Sequence, residues 1–136
     1  MSEDLEFFRA AAEFAESGEP FVLITVVKTQ GSTPRDPGAK MIWRPAHAAA
    51  SAPGSGAEAG GTIGTVGGGQ FEMLVLDAAR AHYEKQSCGV EHYVLGADAD
   101  QCCGGTMDVF FEFHGSRQRL VIFGAGAVVA WVFFPW

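Results

Sequence analysis

Positive charge is scarce in this sequence of 136 residues: nine Lys and Arg stand against sixteen Asp and Glu, a formal net charge of -7 with a pI near 4.9. A nucleic-acid-binding domain shows the opposite balance, which excludes that class unless a basic face is concentrated locally. Cysteine is sparse too. The three present, Cys88, Cys102 and Cys103, are odd in number with two adjacent, so an ordinary disulfide framework is excluded and a reducing cytoplasm is the expected setting. The N-terminus, MSEDLEFF, has no basic n-region before an apolar h-region, so no secretory signal is expected. No Gly-Lys-Ser/Thr closes a Walker loop, no Gly-x-Ser-x-Gly marks a nucleophile elbow, and no His-Glu-x-x-His marks a zinc protease. The four histidines, His47, His82, His92 and His114, are scattered. His82 falls on the apolar face of a helix and reads as a packed residue rather than a base.

What the chain does have is apolar content. Hydrophobic residues make up 48% and charged residues 18%, which excludes intrinsic disorder. The length suits one domain with a sustainable core. The spacing predicts a helix over 3–17, with Leu5, Phe8, Ala12 and Ala15 on its buried face and Phe7 and Ala11 beside them. Phe21 to Val27 is a continuous apolar run, the pattern of a strand covered on both faces. A loop over 29–35 and a strand over 39–44 follow. Residues 45–60 are low-complexity Ala, Gly, Ser and Pro, expected as a flexible insert. Strands are expected at 62–66, 91–95, 106–113 and 119–123, the third with Met107, Val109, Phe111 and Phe113 on one side and Asp108 and Glu112 on the other, and a helix from Gln70 to about Ser87 that buries Phe71, Leu74, Val75, Ala78 and His82. The expected fold is α/β: one domain with a mixed sheet flanked by helices. The uncharged run Leu120–Trp136 spans 17 positions, the lower limit for a membrane span, and holds Gly124, Gly126 and Pro135. A buried strand and an interrupted element are expected there instead of an anchor, so no membrane partner is expected.

Three constellations can carry chemistry. Gly67-Gly68-Gly69 stand between a strand and a helix, with Glu72 in the first turn. Bare amides at a helix N-terminus suit an anion; the alternative is a tight turn, which needs fewer than three glycines. Second, Lys28, Arg35, Lys40 and Arg44 are four of the nine basic residues within 17 positions. With Gly31, Ser32 and Thr33 they resemble an anion clamp, or else a solvated loop. Third, in Gln101-Cys102-Cys103-Gly104-Gly105 the spacing fits no zinc site. Soft sulfur suits molybdenum, copper or sulfur transfer, and the competing reading is two small buried hydrophobes. The glycine and cysteine loops should converge at one end of the sheet, where open α/β folds place ligands. A strand ending Gly124-Ala125-Gly126 resembles the opening of a Rossmann unit.

Taken in order, GSTPRDPGAKM at 31–41, GTVGGGQFE at 64–72, QCCGG at 101–105 and LVIFGAG at 120–126 resemble the xanthine dehydrogenase accessory family of XdhC/CoxI type. The resemblance implies an XdhC/CoxI-like domain over 1–116 and, over 117–136, the truncated start of an absent Rossmann-like domain. It implies a cytoplasmic chaperone, not an enzyme, that binds the molybdenum cofactor (molybdopterin). Such proteins shield the cofactor while a cysteine desulfurase sulfurates it, and deliver it to a xanthine dehydrogenase-type molybdenum hydroxylase. Carried onto this sequence, cofactor binding falls to Gly31, Ser32, Thr33, Arg35, Lys40, Gly67, Gly68, Gly69, Glu72, Gln101, Cys102, Cys103, Gly104 and Gly105, with Cys102 and Cys103 near the metal. The alternatives are a small nucleotide- or phosphate-dependent oxidoreductase or transferase using the glycine turn, and a structural fragment whose exposed aromatic tail makes a homodimer or a membrane contact.

Overall fold

A computed structural model describes residues 2–45, 61–98 and 104–115. Helix α1, Ser2–Ser17, leads into strand β1, Phe21–Gln30, followed by β2, Lys40–Arg44, and β3, Gly61–Gly64. Helix α2, Gly69–Lys85, strand β4, Gly89–Val94, a single turn α3, Leu95–Asp98, and strand β5, Thr106–His114, complete the described chain. The strands form one sheet in the order β3-β2-β1-β5-β4. The expected insert and the expected strand over 119–123 fall on residues outside those described, apart from Pro45.

The α/β class and the two flanking helices agree with the sequence reading. The mixed sheet does not: all four pairings are antiparallel. The strand–helix–strand signal around α2 is nonetheless real. With every neighbour reversed, β3 and β4 run the same way, but α2 carries the chain from one edge of the sheet to the other and they never pair.

Successive strand residues point to opposite faces, and β1 uses both. Val22, Ile24 and Val26 pack with Phe71, Val75 and Ala79 of α2, while Phe21 and Leu23 pack with Phe7, Ala11 and Phe14 of α1. Met41 and Trp43 join the α2 side; Ile42 and Ile63 join the α1 side. The continuous apolar run of β1 thus records a strand sandwiched between helices. On β5 the alternation is as expected, with Met107, Val109 and Phe111 fully buried against α2.

Helix α1 corrects the expected face. Leu5 and Phe8 are 59% and 57% exposed, and Ala12 and Ala15 are exposed too, whereas Phe7 is buried. The inward set Phe7, Ala11, Phe14 has the same helical spacing, but it places a second aromatic ring on the sheet where the other choice offers two alanines. Phe14 also lies tilted against Phe21, ring centroids 5.9 Å apart.

Strand β1 runs three residues further than its apolar stretch. Beyond an irregularity between Val26 and Lys28, Thr29 and Gln30 pair with Met107 and Thr106 of β5. This extension fixes the position of the candidate site.

Phe71 is fully buried at the centre of the larger cluster. Phe71→Ala should cost about 3–5 kcal/mol in urea unfolding, whereas Leu5→Ser should stay within about 0.5 kcal/mol; reversal of the two would place the other face of α1 inward.

Candidate functional site

Because β5 starts at Thr106 opposite Gln30, Gly31 and Ser32 meet Gly105. A Cβ on Gly105 would lie 2.2 Å from the Ser32 carbonyl oxygen and 2.6 Å from that of Gln30. No side chain fits there. The Leu95 amide donates to the Gly105 carbonyl at 2.9 Å, tying α3 to the same seam. A third segment joins from the side: a Cβ on Gly67 would lie 2.7 Å from Cγ of Pro34. Three of the sequence motifs therefore touch, through Gly31–Ser32, Pro34–Gly67 and Gly105.

The glycine turn differs from its sequence reading in two ways. Gly67, Gly68 and Gly69 all have positive φ, at 149°, 77° and 62°. The turn itself uses all three, so they are no excess. Two of its amides are also not bare. Gly67 N–H donates to Thr65 Oγ1 at 3.2 Å and Gly68 N–H donates to Glu72 Oε2 at 3.1 Å. Thr65 Oγ1 in turn donates to the same Glu72 oxygen at 2.5 Å. The chain supplies its own anion: the Glu72 carboxylate caps α2 by reaching back to the turn, as acids in a first helical turn do.

The basic cluster separates into two kinds. Arg44 is buried and belongs to the core: it donates to the Glu19 carboxylate and its guanidinium lies 3.8 Å from the Phe14 ring centroid. Lys28 stands opposite Asp108 in the β1–β5 register. Neither lines the cleft that takes the other two, so both leave the expected anion clamp. Arg35 and Lys40 remain, and they line one cleft of about 560 Å³ between α1 and the sheet, whose walls also include Phe8, Ile63 and Thr65. Lys40 Nζ donates to Thr25 Oγ1 at 3.2 Å. Neither Arg35 nor Lys40 forms an ion pair among the described residues. The Thr33 hydroxyl donates to the Arg35 carbonyl at 3.2 Å and so shapes the loop that carries the guanidinium. Thr65 connects this cleft to the Glu72 network.

Gln101, Cys102 and Cys103 lie outside the described residues, directly before Gly104 in the chain. Cys88 is an exposed free thiol after α2. Among the described residues no group of three or more His, Cys, Asp and Glu gathers to hold a metal, and no helix is long and apolar enough to cross a membrane. His82 is packed, as expected: its ring stacks on Phe111 at 4.8 Å, and its nitrogens hydrogen-bond Ser87 Oγ at 3.0 Å and Glu91 Oε1 at 3.1 Å. Tyr93 donates to the other Glu91 oxygen. Burial first, and that hydrogen bond second, push the Tyr93 phenol far above its ordinary pKa, so it stays a donor.

The XdhC and CoxI family model matches residues 14–94. The chain belongs to the XdhC and CoxI family. That match takes in the Gly31–Arg35 loop and the glycine turn together. A curated relative, the uncharacterized protein YqeB of Escherichia coli (strain K12), is 34% identical over 128 residues, covering 91% of this chain and 21% of the relative. The crystal structure of a xanthine dehydrogenase from Bacillus halodurans has the same fold over 77% of this chain and 29% of that chain, with a TM-score of 0.58 at 23% identity. The chain thus spans less than a third of either protein's length.

Sequence reasoning missed Phe8, Asp4, Glu6 and Thr65 as walls of the cleft. Nothing in the sequence signals that the first turns of α1 stand over a loop some thirty residues away.

Gly105→Ala should destabilise the fold by about 1–3 kcal/mol through overpacking against Ser32, and should lower hydrogen-exchange protection of the Leu95 amide. Gly68→Ala, with open space around its Cβ position, should cost about 1–2 kcal/mol from its positive φ alone and leave Leu95 protected.

Proposed function

We propose that this chain serves as a xanthine dehydrogenase accessory protein in the cytoplasm: it binds the molybdenum cofactor, shields it during sulfuration by a cysteine desulfurase, and passes it to a xanthine dehydrogenase-type molybdenum hydroxylase. It acts as a chaperone and turns over no substrate of its own. Family membership supports the accessory role. The observation that carries the binding role is the meeting of the motif segments at one end of the sheet, beside a cleft lined by Arg35 and Lys40, neither of them ion-paired among the described residues.

When bound, the cofactor supplies a phosphate, a flat pterin and a metal held by sulfur. The cleft residues fit the first of these: a guanidinium and an ammonium that form no ion pair among the described residues are anion ligands, and Arg adds fork geometry for phosphate oxygens. The half-buried Lys40 is oriented by Thr25, which leaves its remaining protons for a ligand. At Gly31 and Gly105 the two backbones fill the space themselves, but at Gly104 a Cβ would meet nothing within 4 Å, so a flat ring can approach the backbone there. Cys102 and Cys103 then provide soft donors for the metal end. Glu72 holds the shape of the turn at Gly67–Gly69 and is a positioning residue.

Purified from cells that make the cofactor, the chain should carry molybdenum together with pterin fluorescence. Arg35→Ala should reduce retention of both about tenfold, equivalent to 1.4 kcal/mol, with an unchanged unfolding midpoint. Cys103→Ala should weaken retention more than it weakens folding. A folded chain holding neither molybdenum nor pterin contradicts the reading, and equal losses of retention and stability in Cys103→Ala assign that cysteine to packing.

A further inference from the structure

The cleft beneath α1 offers more than a phosphate uses. Its volume of about 560 Å³ falls within the roughly 300–1,000 Å³ of small-molecule sites. Arg35, Lys40, Asp4 and Glu6 all line it, and none of the four is ion-paired among the described residues. Phe8 contributes an aromatic ring that is 57% exposed. Phe7 braces that ring edge-on, with centroids 5.6 Å apart and an interplanar angle of 89°.

Each simple ligand leaves part of this wall unused. A bare phosphate answers the two cations and meets two carboxylates of its own sign, which repel it. A flat apolar anion uses Phe8 but offers the acids no donor. A nucleoside monophosphate has all three parts: a phosphate for the cations, a base to lie on an aromatic ring, and hydroxyl and amine donors for carboxylates.

We propose that this cleft binds a nucleoside monophosphate, either free or as the terminal part of a larger cofactor. Arg35 and Lys40 take the phosphate, Phe8 takes the base, and Asp4 and Glu6 accept from the ribose or an exocyclic amine. The inference rests on the preceding reading for its use of Arg35 and Lys40 as anion ligands, and it adds the nucleotide. It also gives α1 a role in recognition beside its role in the core.

Isothermal titration of the full chain with CMP, GMP, AMP, cytidine and inorganic phosphate tests it. At least one nucleoside monophosphate should bind about tenfold or more tightly than cytidine or phosphate. Arg35→Ala should weaken that binding about tenfold. Phe8→Ser should weaken it about fivefold or more, the loss of one base–aromatic stack, without changing the affinity for phosphate. Both side chains are exposed, so the unfolding midpoint of each variant reports any loss of fold separately. Absence of saturable nucleotide binding, equal affinity for phosphate and nucleotide, or indifference to Phe8→Ser would overturn the proposal. Release of retained pterin by the nucleotide identifies it as part of the cofactor, and binding without release identifies a free nucleotide. Nucleotide binding by a chain that retains no molybdenum leaves the cleft assignment standing and removes the cofactor reading; molybdenum retention without nucleotide binding does the reverse.

Discussion

Where β1 runs past its apolar stretch to Gln30, it lays Gly31 and Ser32 directly against Gly105, with space for no side chain between the two backbones. Much follows from that contact. The register of β1 against β5 is set by burial, because Val22, Ile24 and Val26 must face α2 together with Met107, Val109 and Phe111. A slip of one residue would turn every one of these side chains to the wrong face. That register, shifted by one residue at the irregularity between Val26 and Lys28, decides which loop residues meet at the end of the sheet. Gly67 reaches the group through Pro34, because β3 sits beside β2 and its exit points back over the loop. Chemistry and packing are joined here by strand pairing alone.

The basic residues show how the fold sorts one sequence cluster into different roles. Arg44 is drawn under α1, where Glu19 and the face of Phe14 receive it. Arg44 is buried while Glu19 is partly exposed, so losing Glu19 would leave a buried charge without its partner, and Arg44 is committed to structure. Lys40 is only half-buried and bonds a neutral hydroxyl, while Arg35 projects from the loop. Those two keep their charge available. In a chain of net charge -7, a cleft that gathers two cations, neither ion-paired among the described residues, beside two acids is a local exception. Its acids come from a different element, the first turns of α1, so the charge balance of the cleft is created only when helix and sheet come together.

Most of the architecture was legible in periodicity. The continuous apolar run of β1 marked a strand covered twice, and alternation on β5 assigned its faces correctly, because side-chain period 2 leaves no freedom there. On α1 the pattern was ambiguous: Leu5, Phe8, Ala12, Ala15 and Phe7, Ala11, Phe14 are both helical stripes, and only the sheet beneath chooses between them. Antiparallel pairing was hidden for a similar reason, since strand–helix–strand order says nothing about whether the two strands become neighbours. In the site, the motif positions were readable but their chemistry was only partly so. Three consecutive glycines were visible; that Glu72 would take the Gly68 amide and Thr65 the Gly67 amide was not, because a carboxylate in a first turn serves dipole, cap or ligand equally well. Phe8 belongs to no motif, and Thr65, although inside GTVGGGQFE, is singled out by nothing in it; their place in the cleft arises from tertiary contact.

The contact at the sheet end is open to one direct observation. In a nuclear Overhauser spectrum of the full chain in solution, the α-protons of Gly31 and Gly105 should give a strong cross-peak, accompanied by the β1–β5 cross-peaks of Gln30 with Thr106. Assigned resonances for both glycines with no cross-peak between them would separate the motif segments and contradict the site built on their meeting.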